Sequence, residues 1–319
     1  MTDRKGIRNM KPVYVINGFL ESGKTQFIKF TLAQPYFQIK GKTLLILCEE
    51  GEEEYDSRVL KASNTVVKII EDEEDFTNEK LIALEKEVDP ERIIIEYNGM
   101  WNMKDFTMPF HWNLEQQITC IDASTFSTYY GNMKSLVAEM IKKSELIIFN
   151  RCDNVRDSLA SFRRNIKAVN GSADVIFEDA KGEINEIFEE DLPYDLKADK
   201  IFLDEKTYGI WYIDTMEHAE RYKDTILEFD AIVLKPDKFE KGYFVPGRMA
   251  MTCCAEDMQF LGYACKYDGV DKLNERDWVR VKAKLVKEYF SDYKGVGPVL
   301  HAISVEKSTK PVNDVIGFG

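Results

Sequence analysis

Residues 18–25 read Gly-Phe-Leu-Glu-Ser-Gly-Lys-Thr, a full match to the pattern G-x-x-x-x-G-K-[ST]. The octet lies between the apolar run Val13–Ile16 and the segment Gln26–Leu32, which can continue as a helix. Such a stretch has essentially one local solution, a strand turning through a tight loop into a helix. Gly18 and Gly23 let successive backbone N–H groups converge on an anion, and the helix N-terminus adds partial positive charge. Ser22 and Gln26 flank that cradle, Lys24 is the candidate for the β- and γ-phosphates, and the Thr25 hydroxyl is the candidate ligand of Mg²⁺. The motif implies a nucleoside triphosphate. Glu21 is the unexpected residue, a carboxylate beside phosphates, which must point away or pair with a cation.

Up to about residue 190 the chain alternates short β-rich runs with helical stretches. The runs are Val13–Ile16, Thr43–Leu47, Val66–Ile70, Arg92–Ile95, Ile118–Ile121, Leu146–Phe149 and Val175–Phe177; helix-like segments include Asn78–Val88, Phe126–Lys143 and Val155–Ala168. This alternation predicts an α/β fold with a doubly wound, mostly parallel sheet, whose ligands sit beyond the carboxyl ends of the strands. From Glu189 to Lys206 the sequence turns acidic and polar and reads as a link, so the expected domains are 1–195 and 196–319. Beyond the link come shorter runs: Gly209–Ile213, Ile226–Leu234, Arg248–Thr252, Gln259–Tyr267, Trp278–Val286 and Val299–Val305. Gly and Pro punctuate them, which predicts a small all-β barrel or sandwich. Trp278–Lys287 alternates as a strand, although the same residues could start a helix.

At 319 residues with 44% hydrophobic content, the chain can build two ordinary cores. A formal charge of −13 argues against general nucleic-acid binding, which needs clustered cations. No stretch approaches the length of a membrane span, and the charged N-terminus lacks a signal-type apolar core, so the expected location is the cytoplasm. Six cysteines are scattered without a disulfide framework. Cys253 and Cys254 are adjacent, and Cys265 follows eleven residues on. Two or three thiolates there could hold a metal such as Zn²⁺ or form a redox site, with Asp257 or His301 completing it. The alternative is that neighbouring strand residues point to opposite faces, leaving one thiol in the core and one outside.

Leu146–Phe149 runs into Asn150-Arg151-Cys152-Asp153. An apolar strand ending this way suits guanine recognition. A carboxylate at Asp153 accepts two hydrogen bonds, from the base's ring N–H and its exocyclic amine, a pair that adenine does not offer. Asn150 would brace the loop, and the Arg151 stem would cover the base plane.

In these elements the N-terminal part resembles the CobW branch of the CobW/HypB/UreG P-loop GTPases. That family's G-F-L-G-S-G-K-T corresponds to Gly18–Thr25, its N-E-F-G-E followed by Asp to Cys48-Glu49-Glu50-Gly51-Glu52 followed by Asp56, its E-x-x-G to Glu96–Gly99, and its N-K-x-D to Asn150–Asp153. The resemblance implies GTP as ligand, Mg²⁺ as cofactor, and slow GTP hydrolysis. It implies that Glu49 and Asp56 lie in a switch region near Mg²⁺ and the γ-phosphate, that Glu96 holds a metal-bound water, and that the Gly99 N–H meets the γ-phosphate. It assigns Lys24, Glu49 and Glu96 to catalysis, and Thr25, Glu49 and Glu96 to the metal. Glu178–Gly182 falls where the family has a loop beside the base. The family's C-x-C-C metal motif is absent: Val66–Glu74 occupies that interval without a cysteine. The last 110 or so residues are similar to the C-terminal domain of YcgQ-type proteins, through Met251-Thr252-Cys253-Cys254-Ala255, Trp278–Leu285 and Gly297–Leu300, which implies a small OB-like β domain.

Three functions are compatible with this reading: a switch GTPase related to metallochaperones, a nucleotide-gated binding module whose β domain recognises a protein or metal, and a P-loop kinase of a small substrate. No glutamine or arginine finger is legible, so a protein partner or a homodimer is expected to complete the site.

Overall fold

The computed structural model describes residues 10–49, 51, 53–184, 192–251 and 258–318. The chain divides into two compact units, Met1–Phe162 with Ser172–Ile187 and Arg163–Gly171 with Phe188–Gly319.

Up to β8 the order is β1 (Lys11–Asn17), α1 (Lys24–Ala33), β2 (Thr43–Leu47), α2 (Ser57–Ala62), β3 (Thr65–Ile69), α3 (Asn78–Val88), β4 (Arg92–Glu96), β5 (Trp112–Asp122), α4 (Ala123–Asn132), α5 (Lys134–Ile141), β6 (Leu146–Asn150), α6 (Leu159–Val169), β7 (Asp174–Asp179) and β8 (Gly182–Glu183), all in the first unit except α6 from Arg163 on. The strands form one sheet in the order β3-β2-β4-β1-β5-β6-β7-β8, all neighbours parallel except β7 and β8. All five residues of β4 and the first four of β2 are buried, as expected of strands covered on both faces. Val13, Val15, Leu44, Ile46, Ile93 and Ile95 feed one core; Ile16, Leu45 and Ile94 join Ile28 and Leu32 of α1 in the other.

The expected helix Phe126–Lys143 is two helices, because Met133 leaves helical geometry at φ −131° immediately after Gly131 and Asn132. Periodicity continues across such a break, so the pattern alone does not reveal it.

The second unit contains β9 (Lys200–Leu203), α7 (Tyr208–His218), β10 (Ile226–Leu234), β11 (Tyr243–Met251), β12 (Met258–Gly262), β13 (Cys265–Lys266), β14 (Trp278–Phe290), β15 (Gly295–Lys307) and β16 (Val315–Ile316). Pairings run β11-β13-β15-β14-β10, and β10 pairs again with β11, closing these strands into a ring. Closure leaves these strands no open edge along the ring, the usual solution for a small β domain.

Two expectations differ here. Lys200–Leu203, read as part of a link, is a strand lying parallel to β10. Gly209–Ile213, read as a strand, lies inside α7. A five-residue apolar run does not reveal its own period. The helix start is visible only as Asp204 and Thr207: the Asp204 N–H donates to Thr207 Oγ1 at 2.9 Å, and the Thr207 N–H donates to Asp204 Oδ1 at 3.0 Å. No helix among the described residues is long and apolar enough to cross a membrane.

Candidate nucleotide site

β1 delivers the phosphate loop, and a buried polar network holds its exit. The Asn17 amide donates to Met140 O at 3.0 Å, and Thr119 Oγ1 donates to Asn17 Oδ1 at 2.5 Å, tying β1 to β5 and α5. Gly18 takes φ +143°, and a Cβ there would strike the Cys120 carbonyl; Gly23 takes φ +92° immediately before α1. Glu21 also adopts a left-handed φ of 59°, at the position where the resembled pattern has glycine. A non-glycine residue is strained in that region, so Glu21 stands in a glycine's conformation. Its carbonyl is held by Arg151 Nη1 at 2.8 Å.

Lys24 opens α1 and its side chain is only 3% exposed. Its ammonium donates to Gly18 O at 2.8 Å and Phe19 O at 2.9 Å, and pairs closely with the Glu49 carboxylate. The buried Ser22 hydroxyl has no hydrogen-bond partner. An orphaned donor beside a buried cation and two glycines fits an anionic ligand, because leaving such a group unpaired is otherwise costly. The open space over the loop is small, about 40 Å³.

On the β2–β4 side, Thr25 Oγ1 donates to Glu96 Oε1 at 2.7 Å, while the Tyr55 phenol donates to Glu96 Oε2. Burial pushes the Glu96 carboxyl up, against the pull of the Tyr55 and Thr25 hydrogen bonds and the Lys24 charge. Burial likewise raises the Tyr55 phenol, reinforced by the adjacent Glu96. Thr25, Glu49 and Glu96 therefore share one cleft and offer the hard oxygen donors that Mg²⁺ requires. Asp56 does not join them. It caps α2, accepting from the Arg58 N–H at 2.8 Å and pairing with the Arg58 guanidinium.

Gly99 packs on the phosphate loop itself. A Cβ there would lie 2.5 Å from the Gly18 carbonyl carbon and 2.7 Å from the Phe19 nitrogen. Because backbone would have to give way, Gly99→Ala is expected to lower stability by about 1–3 kcal/mol and to weaken nucleotide binding. Urea unfolding together with titration calorimetry checks this; wild-type values in both would refute the close packing.

On the β6 side, Asn150 Nδ2 donates to Ser22 O at 2.7 Å and touches the position where a Cβ on Gly23 would be. Arg151, at φ 55°, sends its guanidinium to Glu21 O and the Asp122 carboxylate. Burial would raise the Asp122 carboxyl, but hydrogen bonds from Ser124 and Arg151 hold it below the usual carboxylate range. The Arg151 head is thus turned toward the loop, and a cavity of about 460 Å³ opens beside its stem, lined also by Asp153, Glu178, Ala180 and Phe27. Asp153 is exposed there, its Oδ1 accepting from the Ala180 N–H at 3.3 Å. Burial raises the Glu178 carboxyl in the same cavity. Gln26 is exposed at the loop's rim.

Sequence reasoning missed Tyr55, Asn17 and Asp122. Tyr55 sat within an acidic run with no periodic signal, and the roles of Asn17 and Asp122 depend on strands that neighbour only in space.

Cys253 and Cys254 lie outside the described residues. Cys265 is fully buried on β13, and burial pushes its thiol up, away from the thiolate a metal needs. Among the described residues no group of three or more His, Cys, Asp or Glu side chains is arranged to hold a metal ion. His301 instead pairs with Glu288 at 2.8 Å.

Residues 12–177 match the CobW/HypB/UreG nucleotide-binding domain family, and residues 180–316 match the DUF1980 C-terminal domain. No curated protein matches the chain. Among solved structures, it is similar to the hydrogenase maturation factor HypB from Archaeoglobus fulgidus at 18% identity, covering 56% of this chain and 86% of that one, with a TM-score of 0.41. It is similar to Zn(II)-bound YjiA GTPase from E. coli at 19% identity, covering 56% of this chain and 60% of that one, with a TM-score of 0.41. A Zn(II)-bound triple mutant of YjiA matches at 16% identity over 94% of this chain and 90% of that one, with a TM-score of 0.43.

Proposed function

Because the chain belongs to the CobW/HypB/UreG nucleotide-binding family, it is a GTP-binding protein related to metallochaperones, and we propose that it is a slow, Mg²⁺-dependent GTPase switch. The supporting observation is the convergence of three strand ends on one loop. Lys24 and the orphaned Ser22 hydroxyl lie in the middle, Thr25 and Glu96 to one side, and Asn150 and Asp153 to the other.

Lys24 and the loop's N–H groups bind the phosphates and carry their charge. Asp153 reads guanine, and the Ala180 N–H is near enough to share the base's edge. Thr25 and Glu96 hold Mg²⁺, with Glu49 as the third oxygen donor; the ion, when bound, neutralises charge developing on the transferred phosphoryl group. Glu96 orients water, and Gly99 couples the terminal phosphate to the backbone of the strand exit. The unit 1–195 carries this chemistry. The unit 196–319 serves as a recognition surface for a protein partner; the exposed pair Tyr289 and Val296, opposite one another on β14 and β15, supports that role.

Calorimetry with GTP and ATP in Mg²⁺ buffer tests the reading, with phosphate release followed in parallel. GTP is expected to bind at least tenfold more tightly than ATP, with turnover abolished by EDTA. Equal binding of the two nucleotides would remove guanine recognition, and ATP-dependent phosphorylation of a small acceptor would point to a kinase.

A further inference from the structure

Glu21 holds a left-handed φ of 59° in the middle of the phosphate loop. Its carbonyl accepts from Arg151 Nη1 at 2.8 Å, which fixes the backbone there and with it the direction in which the side chain leaves. That direction is across the mouth of the loop. Glu21 Oε1 lies 3.1 Å from the position that a Cβ on Gly51 would take, and Glu21 lines the small space over the loop. Four carboxylates border this space, those of Glu21, Glu49, Glu53 and Glu96, against two cations, Lys24 and Arg151.

In the proposed reading Glu49 and Glu96 face the metal and meet a cation there. Glu21 belongs to the loop itself, three residues before Lys24. It sets a negative charge beside the backbone N–H groups that the phosphates would occupy. A like charge next to a multiply charged phosphate chain costs binding free energy, and differences of this kind within one site fall mainly on the dissociation rate.

We infer that Glu21 holds nucleotide affinity down and exchange up: its carboxylate repels the diphosphate and the triphosphate alike, so that bound GDP leaves without an exchange partner. This rests on the site being a GTP site. The left-handed backbone aims the charge, and the charge does the repelling, so the two contributions separate by substitution.

The test follows GTP and GDP binding to the full chain by calorimetry in Mg²⁺ buffer at low salt, and release of fluorescently labelled GDP, for wild type, Glu21→Gln, Glu21→Asp and Glu21→Gly. Gln removes the charge and keeps the length, Asp keeps the charge, and Gly removes charge and backbone strain together. Affinity for both nucleotides is expected to rise about tenfold in Glu21→Gln, the size of one like-charge contact at a wet surface. GDP release slows by a similar factor, and Glu21→Asp stays near wild type. The gap between wild type and Glu21→Gln is expected to shrink to about threefold at about 0.5 M salt, because exposed charges are screened; a change in loop shape would not respond. Unchanged binding and release in Glu21→Gln, a gain confined to Glu21→Gly, or a gap indifferent to salt would overturn the inference and leave the GTP site standing. Binding of neither nucleotide to any of the four proteins would remove the site reading and the inference together.

Discussion

Asp153→Asn is expected to weaken GTP binding by about 10²–10⁴-fold and to create binding of xanthosine triphosphate. The carboxylate lies exposed in the cavity beside Asn150 and Ala180, and in the proposed reading it accepts from guanine's ring N–H and exocyclic amine. Each hydrogen bond to a charged group contributes about 1.5–3 kcal/mol, and tenfold in affinity is about 1.4 kcal/mol, so losing the pair reaches that range. The asparagine amide turns an NH₂ donor toward guanine's amine, where two donors face each other. Xanthine carries a carbonyl there instead, which accepts from that NH₂ while its ring N–H donates to the amide oxygen. Competition between GTP and XTP for wild type and variant checks this. A variant that loses GTP without gaining XTP would mean that Asp153 supports the loop rather than reading the base. Unchanged GTP affinity would place the base elsewhere.

Arg248→Ala is expected to destabilise the second unit by about 3–5 kcal/mol, because it opens a cavity the size of a long side chain and removes buried hydrogen bonds. Arg248 on β11 is 2% exposed; its Nη2 donates to Asn313 O at 2.6 Å, its Nη1 to Asp230 O at 3.4 Å, and its guanidinium lies 5.3 Å from the Trp278 ring centroid. The Asn313 contact holds the segment leading into β16, which pairs with β11 beside Arg248. Burial lowers the guanidinium's affinity for its proton, the mark of a cation kept far from water. A buried charge is a poor source of net stability, whereas a filled volume is a good one. Arg248→Met, which keeps much of the stem's bulk, is accordingly expected to recover at least half of the loss. Thermal and urea unfolding of both variants decide it. Equal destabilisation by Ala and Met would assign the effect to the hydrogen bonds, and a loss below about 1 kcal/mol for Ala would show that the tail packs without this residue.

The phosphate loop, the strand ends carrying Glu96 and Asn150–Asp153, and the parallel α/β class were legible because each depends on short-range chemistry: apolar runs, glycines at left-handed positions and polar residues at a strand's exit. Asn78–Val88 was read to its observed bounds, since its apolar residues recur at helical spacing after Thr77, which caps it. Asp56 was misplaced because an acidic residue in an acidic run carries no sign of whether it faces a ligand or caps a helix. Tyr55 carried no signal, since its partner Glu96 lies 41 residues away in the chain.

By itself the sequence determined that strand, glycine-rich loop and helix succeed one another at residues 13–32 and that an aspartate follows the apolar run Leu146–Phe149 within four residues. It also placed Gly18 and Gly23 where backbone N–H groups can converge, with Glu21 as the unexpected carboxylate between them. These are properties of neighbouring residues, set by backbone sterics and local hydrogen bonding. Only the tertiary structure decided that Glu49 occupies Lys24, that Tyr55 and Thr25 share Glu96, and that Arg151 is drawn to Asp122 and supports the strained Glu21. Those pairings arise where separate strand ends converge on one edge of a sheet, and burial there makes every charge find a partner.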